Sequence, residues 1–448
     1  MRIPETPPTF QNMMRDALES HGAEKTVALL ASGGSITDDK GRYLHWEKLK
    51  HLSPPKDLTP QEYWLKIKMA RNLVRIPLPL YALNDQPFGF CISESMQRDL
   101  HWLDKNTAGT ISMGQPITNP NTRNTYLITS LVEESISSSQ LEGASTTRND
   151  AKEMLRANRA PADHSEQMIF NNYQAMQLVR DFKDDDLTPS LIMQLHQVIT
   201  ENTLDDPKKA GCLRTDDDNI HVVDFSHSTI LYTPPSAEAL PNRLQILCDF
   251  ANDTQSKVFI HPVIRAIMLH FMIGYDHPFV DGNGRTARAI FYWAMVRSGY
   301  WLTEYISISN IIKQAPIQYG KAYLHTETDG DDATYFLIHQ LEVLKQAVSS
   351  LHSYLSRKAL EIEETEKLLD NTRVQGQLNH RQLSLLKHAI KNPNALYSIQ
   401  EHQQSHGISY QTARTDLLTL ADKFNLLRKR KYGNSFVFVA LTNIRDLL

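Results

Sequence analysis

Two apolar helical runs, Pro262–Tyr275 and Thr286–Ser298, frame a segment whose glycines mark a turn. It reads His277-Pro278-Phe279-Val280-Asp281-Gly282-Asn283-Gly284-Arg285-Thr286-Ala287-Arg288. Gly282 and Gly284 let the backbone take turns that a Cβ would oppose. They stand just before the second helical run, and a helix N-terminus presents N–H groups and partial positive charge to an anion. Arg285 and Arg288 are three apart and share one helix face. Asp281 is a hard oxygen ligand beside that pocket, suited to Mg²⁺. His277 has the near-neutral pKa of a general base for a hydroxyl. A lone histidine is commonly a core residue, and Gly-Asn-Gly is commonly only a turn. All of these residues within twelve positions point instead to phosphoryl or nucleotidyl transfer.

The surroundings are helical. Leu127, Leu131 and Val132 recur at helical spacing from Asn124 onward, and helical patterns follow over Ser165–Phe182, Pro189–Thr200 and Ser236–Asn252. A further one runs from Thr334 to about Leu369, with a charged Glu361–Glu366 stretch suited to a linker. Residues 219–234 break the pattern. Ile220, Val222 and Val223, then Ile230, Leu231 and Tyr232, are β-prone runs around Ser226-His227-Ser228, and they read as one β-hairpin. Residues 1–119 alternate Pro-rich patches with helix-like segments such as Gln61–Asn72 and read as a helical region without an assigned role.

Charge separates the end of the chain from the rest. Residues 371–448 hold eleven Lys/Arg and four Asp/Glu, a balance of +7, which leaves −11 for the remainder of a chain at −4. Helical segments Arg381–Lys391, Ser398–His406 and Ser409–Phe424 precede β-prone Leu426–Lys429 and Ser435–Leu441. Three helices and a hairpin at this length read as a winged helix-turn-helix. Cys91, Cys212 and Cys248 are far apart and odd in number, which fits a reducing compartment. The first residues lack the apolar core of a signal peptide, and nothing approaches the roughly 18 apolar residues of a membrane span. The expectation is a cytoplasmic protein with no membrane partner.

The loop is similar to the Fic family motif, His-x-Phe-x-Asp/Glu-Gly-Asn-Gly-Arg-x-x-Arg, and every specified position is met. His261-Pro262-Val263-Ile264-Arg265-Ala266 through His270, then Tyr319, Tyr323 and Asp332–Phe336, extend the resemblance over about residues 120–345. It implies a mainly α fold: a Fic-type helical domain with a β-hairpin flap over 120–345, a helical linker over 346–374, and a winged helix-turn-helix over 375–448. It also implies roles. His277 would deprotonate the target hydroxyl and Asp281 would bind Mg²⁺. Gly282, Asn283 and Gly284 would hold the α- and β-phosphates. Arg285 would help, and Arg288 would take the γ-phosphate of ATP. Thr286, Ala287 and Tyr319 complete the nucleotide-binding set. The unaltered loop implies AMP transfer to a Ser, Thr or Tyr hydroxyl of a target protein, although loop chemistry leaves another nucleotide or a phosphocholine donor open.

Two further parts follow from the resemblance. Ser138-Ser139-Gln140-Leu141-Glu142-Gly143 fits the family's inhibitory pattern, with Ser138, Glu142 and Gly143 at its specified positions; the glutamate would pair with Arg288 and block the γ-phosphate. The hairpin carrying Ile230, Leu231, Tyr232 and Thr233 would be the flap that pairs with an extended target. In the C-terminal module, Gln411 and Arg414 on a helix that Ser409 can cap, with Lys429, Arg430 and Lys431 in a wing, are candidate DNA contacts. Other winged helices dock proteins, and a homodimer is a candidate assembly. Three functions remain open at this point: an auto-inhibited AMP-transferase, a DNA-binding regulator that senses nucleotide, and an enzyme removing AMP with Glu142 positioning water.

Overall fold

The computed structural model describes residues 1–31, 33–55, 58–108, 120–224, 229–253, 258–369, 376–432 and 435–447. Ser226-His227-Ser228, the wing tip Gly433-Asn434 and the end of the expected linker, 370–374, lie outside them. Among the described residues, no helix is long and apolar enough to cross a membrane.

The fold is mainly α, and its core is built on the two helices that frame the loop, Pro262–Asp276 and Asn283–Arg297. Ile267, Leu269, Phe271, Ile290 and Trp293 are all at most 1% exposed. Helices apolar all round belong in an interior. An earlier helix, Pro189–Thr200, starts at Pro189, and Thr188 caps it by accepting from the Leu191 N–H. Trp293 Nε1 donates to the Phe182 carbonyl at 3.3 Å, so its one polar atom is satisfied inside the core.

Two compact units share the chain: residues 1–108, 174–301 and 308–346 in one, and residues 109–173, 302–307 and 347–448 in the other. In the first unit a buried polar knot ties the N-terminal segment to residues 329–335. Arg71, 2% exposed, lies 3.5 Å from the ring centre of Tyr43. It donates to the Ile36 and Leu44 carbonyls and to Tyr335 Oη at 2.7 Å. Tyr335 in turn donates to Asp329 at 2.7 Å, and Tyr43 donates to Asp332. A guanidinium this deep survives because every direction it faces supplies an acceptor or a ring face.

The region read as purely helical also holds a β-hairpin, β1 (Ile76–Tyr81) against β2 (Pro87–Phe90). Pro77 and Pro79 hide it from a sequence reading, because proline argues against a strand except at an edge. β2 continues sideways: Gly89 N–H donates to the Asp331 carbonyl at 3.3 Å, and Ala333 N–H donates to the Gly89 carbonyl at 2.8 Å.

The expected flap is present as β3 (Val222–Val223) antiparallel to β4 (Ile230–Tyr232). In the second unit, the helix Pro120–Leu141 packs with Arg148–Ala157 through Val132, Ile136, Ala151 and Met154. It closes at Gly143, which takes φ 97° and so ends the helix in a conformation that glycine adopts without strain. The C-terminal part runs helix His380–Lys391, strand β5 (Leu396–Ser398), helices Ile399–His406 and Tyr410–Leu418, then β6 (Leu427–Tyr432) and β7 (Ser435–Ala440). β5, β7 and β6 form one antiparallel sheet in that order. The third strand, β5, is too short to stand out in the sequence.

Candidate functional site

The site is made by the way one buried helix stops and the next begins. Helix Pro262–Asp276 ends on His277, whose φ of 46° and ψ of 57° place it in the left-handed region while its N–H still donates to the Ile273 carbonyl. Its Nδ1 lies 3.2 Å from the Gly274 carbonyl. A carbonyl only accepts, so Nδ1 carries the proton and Nε2 keeps the lone pair of the neutral ring. The next helix starts one turn of loop later. Gly282 is its N-cap at φ 80°, and the first helical residues are Asn283, Gly284 and Arg285. N–H groups of a first turn have no partner within the helix. Gly284 is therefore inside the helix rather than in the turn, and Gly282 alone supplies the left-handed bend.

Gly282 is required for space as well as conformation. A Cβ there would lie 2.8 Å from Thr200 Cγ2. The loop is closed by Asn283, whose side chain accepts from the Phe279 N–H at 2.9 Å and donates to the Phe279 carbonyl at 2.8 Å. Both ends of that amide bond to the loop, so Asn283 holds the shape of the candidate site. Thr286 and Ala287 are fully buried, and the Thr286 N–H already donates to the Gly282 carbonyl.

Arg285 is 0% exposed. It donates to the Ile199 carbonyl at 3.2 Å and to Asp281 Oδ2 at 3.0 Å. Asp281 itself is half exposed. One bound carboxylate oxygen on an otherwise solvent-facing group fits Mg²⁺, which takes one or two carboxylates and keeps its remaining ligands from water and phosphate. Among the described residues, no cluster of three metal-ligating side chains is found. Arg288 is buried, and its charge, after burial itself, helps push His270 down to about 3. His270 Nε2 lies 2.8 Å from Tyr319 Oη, which lies 3.4 Å from Tyr323 Oη. Tyr319 thus contacts the imidazole that the charge of Arg288 acts on.

Two residues escaped the sequence reading. His196 on helix Pro189–Thr200 is fully buried and stacked on Phe279, with ring centres 3.7 Å apart and planes 5° apart. Its Nδ1 accepts from the Gly211 N–H at 3.0 Å, so Nε2 must donate to the Asp281 carbonyl at 2.9 Å. Burial, with Arg285 nearby, pushes it down to about 4 and keeps the ring neutral. Arg214, also buried, donates through Nε to the His277 carbonyl at 2.8 Å. Neither carries a motif signal, because their partners are backbone atoms distant in sequence.

The flap residues sit near this loop. The Tyr232 ring is 4.8 Å from that of Tyr275, two residues before His277. Thr233 Oγ1 lies 3.3 Å from His221 Nδ1 across the hairpin. In the other unit, Ser138 is buried in the helix that ends before Glu142 and Gly143, and the Glu142 N–H donates to the Ser139 carbonyl. Gln411 and Arg414 face solvent on the helix that Ser409 caps. Lys429, Arg430 and Lys431 are exposed on β6, an edge strand.

A helix C-terminus bearing a left-handed histidine, a loop closed by an asparagine and a glycine-capped helix N-terminus make up the candidate site. Residues 186–295 match the Fic/DOC family model. It is 35% identical over 116 residues to protein adenylyltransferase fic-1 of Caenorhabditis elegans, covering 26% of this chain and 20% of that protein. It is 28% identical over 118 residues to protein adenylyltransferase Fic of Nematostella vectensis, covering 26% and 25%. The chain thus spans about a fifth to a quarter of these curated relatives. Among solved structures it resembles a Fic family protein from Desulfovibrio desulfuricans G20 at TM-score 0.49 and 18% identity, covering 79% of this chain and 98% of that one.

Replacing Gly282 with alanine is expected to destabilise the protein by about 1–3 kcal/mol, from left-handed backbone strain and the contact with Thr200 together. Denaturant titration of the whole chain reads this out, and an unchanged midpoint would contradict the tight fit described.

Proposed function

We propose that this chain transfers AMP from ATP to a hydroxyl side chain of a protein. The observation that carries the reading is the loop itself: the lone pair of His277 and the N-terminus of helix Asn283–Arg297 are held on one short segment that Asn283 locks. The triphosphate would lie on that N-terminus, where the backbone dipoles favour negative charge. The acceptor hydroxyl would give its proton to His277 Nε2 as its oxygen attacks the α-phosphorus. The bond from the α-phosphorus to the β-phosphate oxygen then breaks and pyrophosphate leaves. Mg²⁺ held by Asp281 would neutralise phosphate charge. Arg285, fixed by Asp281 and the Ile199 carbonyl, contributes a positive field in a buried setting where charge is poorly screened. The curated relatives are named adenylyltransferases, which supports AMP over other transferred groups.

Intact-mass spectrometry after incubation with ATP and Mg²⁺ tests donor and reaction together, a gain of one AMP being the expected result. His277→Ala is expected to lower the transfer rate by about 10²–10⁴ while leaving ATP binding nearly intact. Wild-type transfer in this variant would remove His277 from the chemistry.

Glu142 is proposed as an internal restraint, on the pattern Ser138-x-x-x-Glu142-Gly143. The left-handed Gly143 directly after it supports a fixed position for the glutamate at a helix end. Glu142→Gly should raise self-modification with labelled ATP, with a thermal melt confirming that the helix persists. A well-folded variant no faster than wild type would place the restraint elsewhere and favour removal of AMP as the role of Glu142.

The C-terminal part supports a second reading, a winged helix that binds DNA. Its helix–strand–helix–helix–hairpin order, the exposed Gln411 and Arg414, and four exposed consecutive basic residues, Arg428–Lys431, on an edge strand suit a recognition helix and a wing against phosphates. The whole chain should bind duplex DNA with an affinity that falls steeply with salt. Neutralising Lys429, Arg430 and Lys431 together should flatten that slope by about one per lost phosphate contact. No binding at low salt would favour docking of a protein instead.

A further inference from the structure

The flap and the candidate base are built on separate stretches of chain, yet they meet at one buried side chain. We infer that Arg214 is a positioning residue that sets the register of the target-docking hairpin against His277. This rests on the AMP-transfer reading above.

Arg214 is 6% exposed and stands eight residues before β3. Its own N–H donates to the Pro278 carbonyl at 2.9 Å. Its guanidinium donates through Nε to the His277 carbonyl, and through one terminal nitrogen to the Pro235 carbonyl and, at 3.4 Å, to that of Asp276. Asp276, His277 and Pro278 are the turn that carries the base. Pro235 is where the chain leaves the hairpin. One side chain therefore grips the entrance to the flap, its exit and the turn between helix and loop. Beside it, Asp216 Oδ1 accepts from the Ala237 N–H at 2.7 Å, a second tie between the two roots. Both roots being pinned, the β3–β4 edge cannot slide relative to His277 without breaking a charge-assisted bond in a dry site. A flat two-stranded ribbon specifies register weakly by itself. An acceptor docked along its edge inherits its placement from the roots. Lysine at 214 keeps the charge but has no planar fork to reach these carbonyls together.

Transfer to a docked hydroxyl needs the flap, whereas attack of water on the same α-phosphorus needs only the loop. The experiment compares full-length wild type, Arg214→Lys and the surface variant Asp216→Ala. Three quantities are read: AMP incorporated into the chain itself from labelled ATP, ATP hydrolysed to AMP and pyrophosphate, and hydrogen exchange of the Val222, Val223, Ile230, Leu231 and Tyr232 amides without nucleotide. Arg214→Lys should lower the ratio of incorporation to hydrolysis by about a hundredfold, the cost of misplacement by about 1 Å. Its flap amides should exchange about tenfold faster, the scale of one bond from a charged donor. Asp216→Ala should move both in the same direction by less. Equal loss of incorporation and hydrolysis would mean a merely structural role and overturn the inference. If neither wild type nor Glu142→Gly incorporates AMP, the transfer reading falls. Exchange then decides the inference alone, and unchanged flap amides in Arg214→Lys would overturn it.

Discussion

The reciprocal amide of Asn283 is the bond on which the site depends. Left to itself, the segment after His277 has no reason to fold back. It leaves a helix through a left-handed histidine, a conformation costing about 1–2 kcal/mol for a residue with a Cβ, and enters the next through a left-handed glycine. The two hydrogen bonds between Asn283 and the Phe279 backbone close that path into a ring. Around the ring, His196 stacks on Phe279 and holds the Asp281 carbonyl, and Arg285 holds the Asp281 carboxylate. Backbone and side-chain contacts together hold the loop in one shape. Preorganisation of this kind spares the reorganisation that a flexible loop would undergo on binding.

Residues that shape the loop and residues that face outward from it are thus mixed within one motif. Asn283, Thr286 and Ala287 are buried, and the Asn283 amide bonds to the Phe279 backbone, while Asp281 is half exposed. A sequence reading sees a spacing and assigns every position to the ligand. The structure divides the same positions between shape and contact. The second helix accordingly starts at Asn283, three residues before the apolar pattern begins at Thr286, because a first helical turn carries no periodicity of its own to read.

Helices with a sustained apolar stripe were legible with ends correct to a residue or two, as Pro189–Thr200 and Thr334–Leu369 illustrate. So was the flap, because Ile230, Leu231 and Tyr232 are β-prone and Pro234-Pro235 ends the run. The β1–β2 hairpin was not, since Pro77 and Pro79 read as loop. His196 and Arg214 carried no signal in the sequence. Their roles lie in backbone carbonyls at 235, 276, 277 and 281, and no local pattern encodes a contact across that many residues.

The prolines of β1 have a consequence for what the first unit can recruit. A sheet edge is a template for any extended chain, whatever its sequence. Pro77 and Pro79 remove two donors from β1, and the outer side of β2 at Gly89 is taken up by the Asp331 and Ala333 backbone. Both edges of the hairpin thus offer fewer backbone partners to an incoming strand. Among the described residues of that unit, this leaves β3–β4 as the other two-stranded ribbon.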